Sequence, residues 1–140
     1  MKIDIICIGK LREDYWRAAQ AEYLKRLTPY ARITIIECAD EKATQKSLAG
    51  GGHPIALAIG GKSLSSDGLA SMIQNMAIDG MPHIAFVIGG ADGLSPQILS
   101  LCRSRLSMSA MTFPHQLARI ILLEQVYRAF RIINNEPYHK

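Results

Sequence analysis

The sequence predicts an α/β fold, a mostly parallel sheet flanked by helices. Two observations lead there. Runs rich in isoleucine and valine recur along the chain, and helical patterns lie between them in regular alternation. Several of the runs are apolar on both faces, as strands covered by helices on either side must be.

The first strand is expected at Lys2 to Gly9 ("KIDIICIG"), followed by a helical pattern from Glu13 to Leu27 that Thr28-Pro29 closes. A second strand follows at Arg32 to Cys38 ("RITIIEC"). The next stretch, "ADEKATQKSLAGGGH", is polar and ends in three glycines, which allows a turn or two of helix and a loop. The third strand is expected at Pro54 to Gly60 ("PIALAIG"), and a helix from Ser66 to Ala77 is opened by Ser66-Asp67. The fourth strand is His83 to Ile88, with a helix from Pro96 to Leu106 after it. A weaker strand pattern covers Ser107 to Phe113, and a long helix runs from about His115 to Ile133.

That last helix carries an unusual load. At 100° per residue Glu124, Arg128 and Arg131 share one narrow arc, while Ile120, Leu122, Leu123, Val126, Ala129, Phe130, Ile132 and Ile133 fill most of the rest. One sheet face cannot cover so much apolar surface. Either the helix is central and buried, or a second face packs on another subunit; the shortness of the chain favours a symmetric homodimer.

With 140 residues, 49% of them hydrophobic and 20% charged, the chain can bury one sizeable core, and a single domain over residues 1–140 is expected. The start, "MKIDIICIGK", does not read as a signal peptide, and no window approaches the roughly 20 apolar residues of a membrane span, so a cytoplasmic protein without a membrane partner is expected. Cys7, Cys38 and Cys102 form no C-x-x-C pair and the histidines at 53, 83, 115 and 139 are scattered, so no metal is expected. The formal charge of +4 leans towards a polyanionic partner without any long basic run.

The stretch "HIAFVIGGADGLSP" carries the first chemical signal. An apolar strand ends on Gly89-Gly90, and Ser95 and Pro96 are a natural N-cap and first residue for the next helix. Glycines at the carboxyl end of a parallel strand let backbone N–H groups approach a ligand that a Cβ would hold away. There is no G-x-x-x-x-G-K-[ST] and no G-x-G-x-x-G after the first strand, which argues against a triphosphate loop or a conventional dinucleotide site. Glu37, near the end of the second strand, is the nearest counterpart of a ribose-binding acid. A second candidate ligand segment is "LSMSAMTFPHQLAR", Leu106 to Arg119.

Together "FVIGGADGLS", "SMSAMTFPHQLARIILLEQVYRAFRI", the end "NNEPYHK" and the start "MKIDIICIGK" resemble the RlmH family, the small SPOUT-class methyltransferases that make N3-methylpseudouridine in large-subunit ribosomal RNA. The resemblance implies a SPOUT-type α/β fold with a C-terminal trefoil knot, a homodimer, S-adenosylmethionine as cofactor, and the assembled ribosome as substrate. It implies cofactor contacts from Leu57, Gly89 and Gly90 and from Met108, Ser109, Ala110, Met111, Thr112 and Phe113.

Candidates for handling the imide proton are His139 and Asp92, with Tyr138 bonding the base and Arg128 beside them. His115 is expected to cap the last helix or line the pocket, and Lys140 to meet substrate. Arg119, placed among apolar residues, needs a partner: an acid across the dimer, a cofactor carboxylate or an RNA phosphate. For Arg128 an i, i+4 pair with Glu124 is the plain account. Ala58 stands where many members have an aspartate, and the segment from Asp40 to His53 is shorter than in many of them. Another SPOUT enzyme acting on tRNA, or a ribosome-assembly factor without catalysis, are the competing readings.

Overall fold

The computed structural model describes residues 1–138, so His139 and Lys140 lie outside the described residues. Five strands form one parallel sheet: β1 (Lys2–Ile8), β2 (Arg32–Cys38), β3 (His53–Ser63), β4 (His83–Ile88) and β5 (Ser104–Ser107), in the order β2-β1-β4-β3-β5. The helices between them are α1 (Asp14–Leu27), α2 (Glu41–Leu48), α3 (Ser66–Ile78), α4 (Pro96–Leu101) and α5 (His115–Ile133).

The two central strands are the apolar ones. In β1 Ile3, Ile5 and Ile6 are buried, and in β4 Ile84, Phe86 and Val87 have no exposed surface. One face of the sheet packs on α1, α3 and α5, through Leu27, Ile73, Leu122, Leu123 and Val126. The thinner opposite layer is α2 and α4, which cover Ile6, Cys38, Ala85 and Val87 with Ile98 and partly buried Ala43 and Leu48.

Side-chain caps start three of the helices, and of these only Ser95 was expected; α3, expected to open on Ser66-Asp67, is capped by the residue before. Asp40 caps α2 by accepting from the Ala43 amide at 2.9 Å, Ser65 caps α3 through the Gly68 amide at 3.0 Å, and Ser95 caps α4 through the Ile98 amide at 3.2 Å. The polar segment after β2 forms two turns of helix before Gly51 and Gly52, both at positive φ, turn the chain into β3.

Two expectations shift. The last strand is not Ser107 to Phe113 but Ser104–Ser107, and α4 stops at Leu101 instead of continuing to Leu106. The reason is the ladder with β3: Arg103 N–H bonds the Pro54 carbonyl at 2.9 Å, and Ser104 to Leu106 pair with Ile55 to Leu57. Beyond Ser107 the alternation of small and large residues belongs to a loop. Ser107 Oγ donates to the Ser109 carbonyl, and Ser109 Oγ accepts from the Met111 amide at 2.9 Å, which bends the chain locally instead of extending it.

The long helix α5 resolves the choice its pattern posed in favour of central burial. It lies on the sheet with α1 on one flank and α3 on the other, so Ile120, Leu122, Leu123, Val126, Ala129 and Phe130 are all buried within one chain. Its apolar girth therefore does not by itself require a second subunit.

Candidate active site

A cavity of about 810 Å³ opens at the carboxyl ends of β3, β4 and β5. Three segments build it: the end of β3 from Leu57 to Ile59, the turn from Gly89 to Leu94, and the loop from Ser107 to Pro114 leading into α5. The two ligand segments singled out in the sequence therefore meet at one place. Leu57, Gly89, Gly90, Met108, Ser109, Met111, Thr112 and Phe113 all line the cavity. Ala110 does not line it and is exposed.

The glycine turn closes on itself. Gly93 N–H donates to the Gly90 carbonyl at 3.0 Å, and Gly93 sits at φ +76°. A Cβ on Gly89 would lie 2.5 Å from the Gly93 carbonyl carbon and 2.8 Å from the Leu94 nitrogen, so the returning backbone itself demands glycine there. Gly90 differs: a Cβ there would meet nothing closer than the Ile8 Cγ2 at 3.6 Å, an ordinary contact. Gly89 is thus held to glycine by the turn, and it lines the cavity as well. Its first duty is to the turn.

The rim of β3 was not legible as a site beyond Leu57. Leu57 and Lys62 both register on Leu106, so Ala58 to Gly61 bulge out of the ladder, and Ala58 and Ile59 turn onto the cavity. The pair Gly60-Gly61 was the available signal. A Cβ on Gly61 would lie 2.7 Å from the Arg105 carbonyl carbon, so β3 and β5 approach too closely for any other residue. Leu99 also lines the cavity and was missed, while Leu94, Pro114 and Ala118 line it from within the two segments already singled out.

Among the described lining residues there is no lysine or arginine, Asp92 supplies the one carboxylate and His115 the one imidazole. That wall is apolar with backbone and hydroxyl groups interspersed, and it suits a ligand that is not strongly anionic.

Arg119 lies below the cavity and is 2% exposed. Its Nη1 meets Glu37 Oε2 at 2.7 Å and Gln20 Oε1 at 3.1 Å, and its Nη2 meets the Gly9 carbonyl at 3.4 Å. The partner that its burial demanded is an acid of the same chain, not one across a dimer, nor a cofactor carboxylate or RNA phosphate. Glu37 is correspondingly committed to Arg119 and to the Leu11 amide at 3.3 Å, which corrects its reading as a counterpart of a ribose-binding acid.

Arg128 forms the expected helical pair with Glu124, Nη2 to Oε1 at 2.9 Å, and its guanidinium lies 3.8 Å from the centre of the Tyr138 ring. The Tyr138 hydroxyl donates to the same Glu124 oxygen. Burial, followed by that bond and the Glu124 charge, pushes the Tyr138 phenol up to about 12. The chain reaches this place by turning at Asn135, at φ 54°, and is pinned by Arg131, whose Nη1 pairs with Glu136 at 2.9 Å and whose Nε bonds the Pro137 carbonyl at 3.1 Å.

Neither Arg128 nor Tyr138 lines the cavity. From Ala118 on its wall, α5 runs about 15 Å to reach Arg128 at 1.5 Å per residue. Arg128 and Tyr138 therefore gather on Glu124, away from the cavity of their own chain. His139 and Lys140 lie outside the described residues.

With this geometry in view, known proteins place the chain. The model of the family described as predicted SPOUT methyltransferase matches residues 1–139. The chain belongs to the SPOUT methyltransferase family. It is similar to proteins named ribosomal RNA large subunit methyltransferase H, at 46% identity to that of Bifidobacterium animalis subsp. lactis and 46% to that of Bacillus pumilus, each aligned over all of both chains. Those alignments span 159 positions, more than the 140 residues of this chain can fill, so at least 19 of them are gaps here. In fold it matches TrmJ from Z. mobilis at TM-score 0.63 and 13% identity, covering 100% of this chain and 73% of that one. A probable methylase family protein from Haemophilus influenzae matches at 0.58 and 13%, covering 99% and 70%. The chain is thus a methyltransferase of this class.

Proposed function

We propose that this methyltransferase acts as a homodimer, uses S-adenosylmethionine, and methylates N3 of a pseudouridine in large-subunit ribosomal RNA on the assembled ribosome in the cytoplasm. The observation that carries the reading is the single cavity shared by the glycine turn and the loop before α5. The names of the full-length relatives support the substrate class. Residues 1–140 form one domain, whose C-terminal segment is threaded as the trefoil knot of the class.

The lining fits the cofactor. Its volume lies within the roughly 300–1,000 Å³ of small-molecule sites, and the absence of lysine and arginine among its described residues favours a cationic sulfonium over a polyphosphate. Leu57, Met108 and Phe113 supply apolar walls, Gly90 an open backbone, and Asp92 the carboxylate. When bound, S-adenosylmethionine supplies an electrophilic methyl group.

The remaining chemistry belongs to the protein. Fixing the base against the cavity mouth supplies orientation, which is worth about 7–11 kcal/mol when two reactants are held in register. N3 gains a carbon and loses a proton. His139 takes that proton, because an unperturbed imidazole near 6.5 is mostly neutral at pH 7. Tyr138, held protonated, gives its one hydroxyl proton to Glu124 and can meet the base only as an acceptor. Since Tyr138 and Arg128 lie off their own chain's cavity, they serve the cavity of the partner in the dimer, beside His115; Lys140 meets the substrate.

Exposed Met111 and Ile59, on the cavity rim and 74% and 63% accessible, supply apolar surface for that association. Labelled cofactor incubated with ribosomes lacking the modification should yield labelled N3-methylpseudouridine from the large subunit. Label appearing only in tRNA, or in no RNA, would overturn the proposal.

A further inference from the structure

The connection from β1 to α1 is tied to the start of α5 and points two free cations and an aromatic pair outward. Gly9 leaves β1 at φ +99°, and its carbonyl is held by Arg119. Arg12 N–H donates to Gln116 Oε1 at 3.1 Å, one residue along α5 from cavity-lining His115. Leu11 turns inward and is buried, while its amide bonds Glu37. Arg17 ties the loop from the other side, its Nη1 bonding the Leu11 and Arg12 carbonyls at 2.8 Å each. The backbone of residues 9–12 is therefore held by these five hydrogen bonds, and its position relative to the cavity wall is set.

The side chains carry a different message from the backbone. Lys10 and Arg12 are exposed, and among the described residues neither side chain has a hydrogen-bond or ion-pair partner. Asp14 is matched by Arg17, so it does not cancel them. Next along the chain Tyr15 is 65% exposed, and its ring meets that of Trp16 edge-on at 4.9 Å. A loop whose Gly9, Leu11 and Arg12 backbone groups are bonded inward and which leaves two cations and a tyrosine face in solvent is built to meet something anionic and planar.

We propose that Lys10, Arg12 and Tyr15 form the RNA-docking surface beside the cavity, the two cations meeting phosphates of the strand that carries the target and Tyr15 stacking on an unpaired flanking base. The proposal rests on the reading of this protein as an RNA methyltransferase and adds to it the place where RNA is gripped. Bases splayed from single-stranded RNA stack on aromatic rings, and phosphates meet lysine and arginine without regard to sequence. The cavity itself, with no cation among its described lining, does not provide that grip.

The test compares Lys10→Glu/Arg12→Glu, the milder Lys10→Ala/Arg12→Ala, and Tyr15→Ala with the unaltered protein. A control, Lys25→Glu/Lys46→Glu, makes the same charge change on exposed last-turn residues of α1 and α2, at the other end of the sheet. Binding to unmethylated large ribosomal subunits is followed by co-sedimentation over a range of salt, cofactor affinity by calorimetry, and oligomeric state by light scattering.

Both double variants at the loop should weaken subunit binding at least about tenfold and flatten the dependence of log K on log salt by roughly 1.5, at about 0.7 per lost single-strand phosphate contact. Tyr15→Ala should weaken binding about tenfold with little change in salt slope. Cofactor affinity should not move, and the control should keep most of its binding.

Unchanged subunit binding in the loop variants overturns the proposal, as does an equal loss in the control. A change of oligomeric state in the loop variants also overturns it, because the surface then belongs to a second copy of the chain. Unaltered protein that binds subunits through this loop but transfers no methyl group would overturn the proposed function and leave the docking surface standing.

Discussion

The sharpest consequence of the geometry is that two adjacent glycines should respond oppositely to the same added methyl group. A Cβ at Gly89 would stand 2.5 Å and 2.7 Å from the carbonyl carbon and oxygen of Gly93, where carbon contacts relax at about 3.5–4.0 Å. The overlap is about 1 Å and falls on backbone. The turn has little freedom to retreat, since Gly93 already uses a positive φ and its N–H is bonded to Gly90. Overpacking of this kind costs about 1–3 kcal/mol, and with backbone as the obstacle the upper half of that range applies.

For a chain of this length about 2 kcal/mol lowers Tm by roughly 7 °C. Gly89→Ala should show that loss in a calorimetric or fluorescence melt and should also bind S-adenosylmethionine weakly, because the displaced turn is a cavity wall. Gly90→Ala should melt within about 1 kcal/mol of the parent, helped slightly by the stiffer unfolded chain. If Gly90 approaches the ligand as proposed, calorimetric titration will show cofactor affinity falling nonetheless. A Gly89→Ala protein as stable as its parent would refute the steric account of the turn, and a Gly90→Ala protein with full affinity would refute close approach of the ligand.

Other consequences are more local. Arg119→Met leaves Glu37 without its cation, and Glu37→Gln leaves a guanidinium whose side chain is 3% exposed with only neutral acceptors, so each should cost about 2–4 kcal/mol in urea denaturation, with strong non-additivity in the double variant. The Tyr138 phenol is raised to about 12 from an unfolded value near 10, so its hydroxyl bond stabilises fully below pH 10 and is lost as pH climbs towards 12; the stability gap between the parent and Tyr138→Phe should close across that window. Burial drives the Cys7 thiol up to about 12, so native protein at pH 8 should leave Cys7 unalkylated until denaturant is added, as peptide mapping would report.

The order of strands and helices was written in the sequence because it depends on short-range pattern. Runs such as "KIDIICI" and "HIAFVI" can be satisfied only as buried strands, and Asp40, Ser65 and Ser95 mark helix starts by local hydrogen bonds. The segment from Ser107 to Arg119 was equally legible as a candidate ligand segment, and much of it does line the cavity. What pattern could not reveal was competition between distant segments. Ser104 to Leu106 became strand because β3 offered them a ladder, and the neighbouring alternation at Ser107 to Phe113 became loop because it had none.

The same holds at the site. That glycine was needed at position 89 was suggested by composition, but the reason, the Gly93 carbonyl carbon 2.5 Å away, exists only once the turn has closed. Arg119 was recognisable as a charge in need of a partner. Only folding, which brings residue 37 within 2.7 Å of residue 119, decided that the partner was Glu37. Sequence alone determined which elements form and which segments carry ligand chemistry, since both follow from neighbours along the chain. The tertiary structure decided which charges are spent on the fold and which remain for a substrate, since that depends on approaches between residues far apart in sequence.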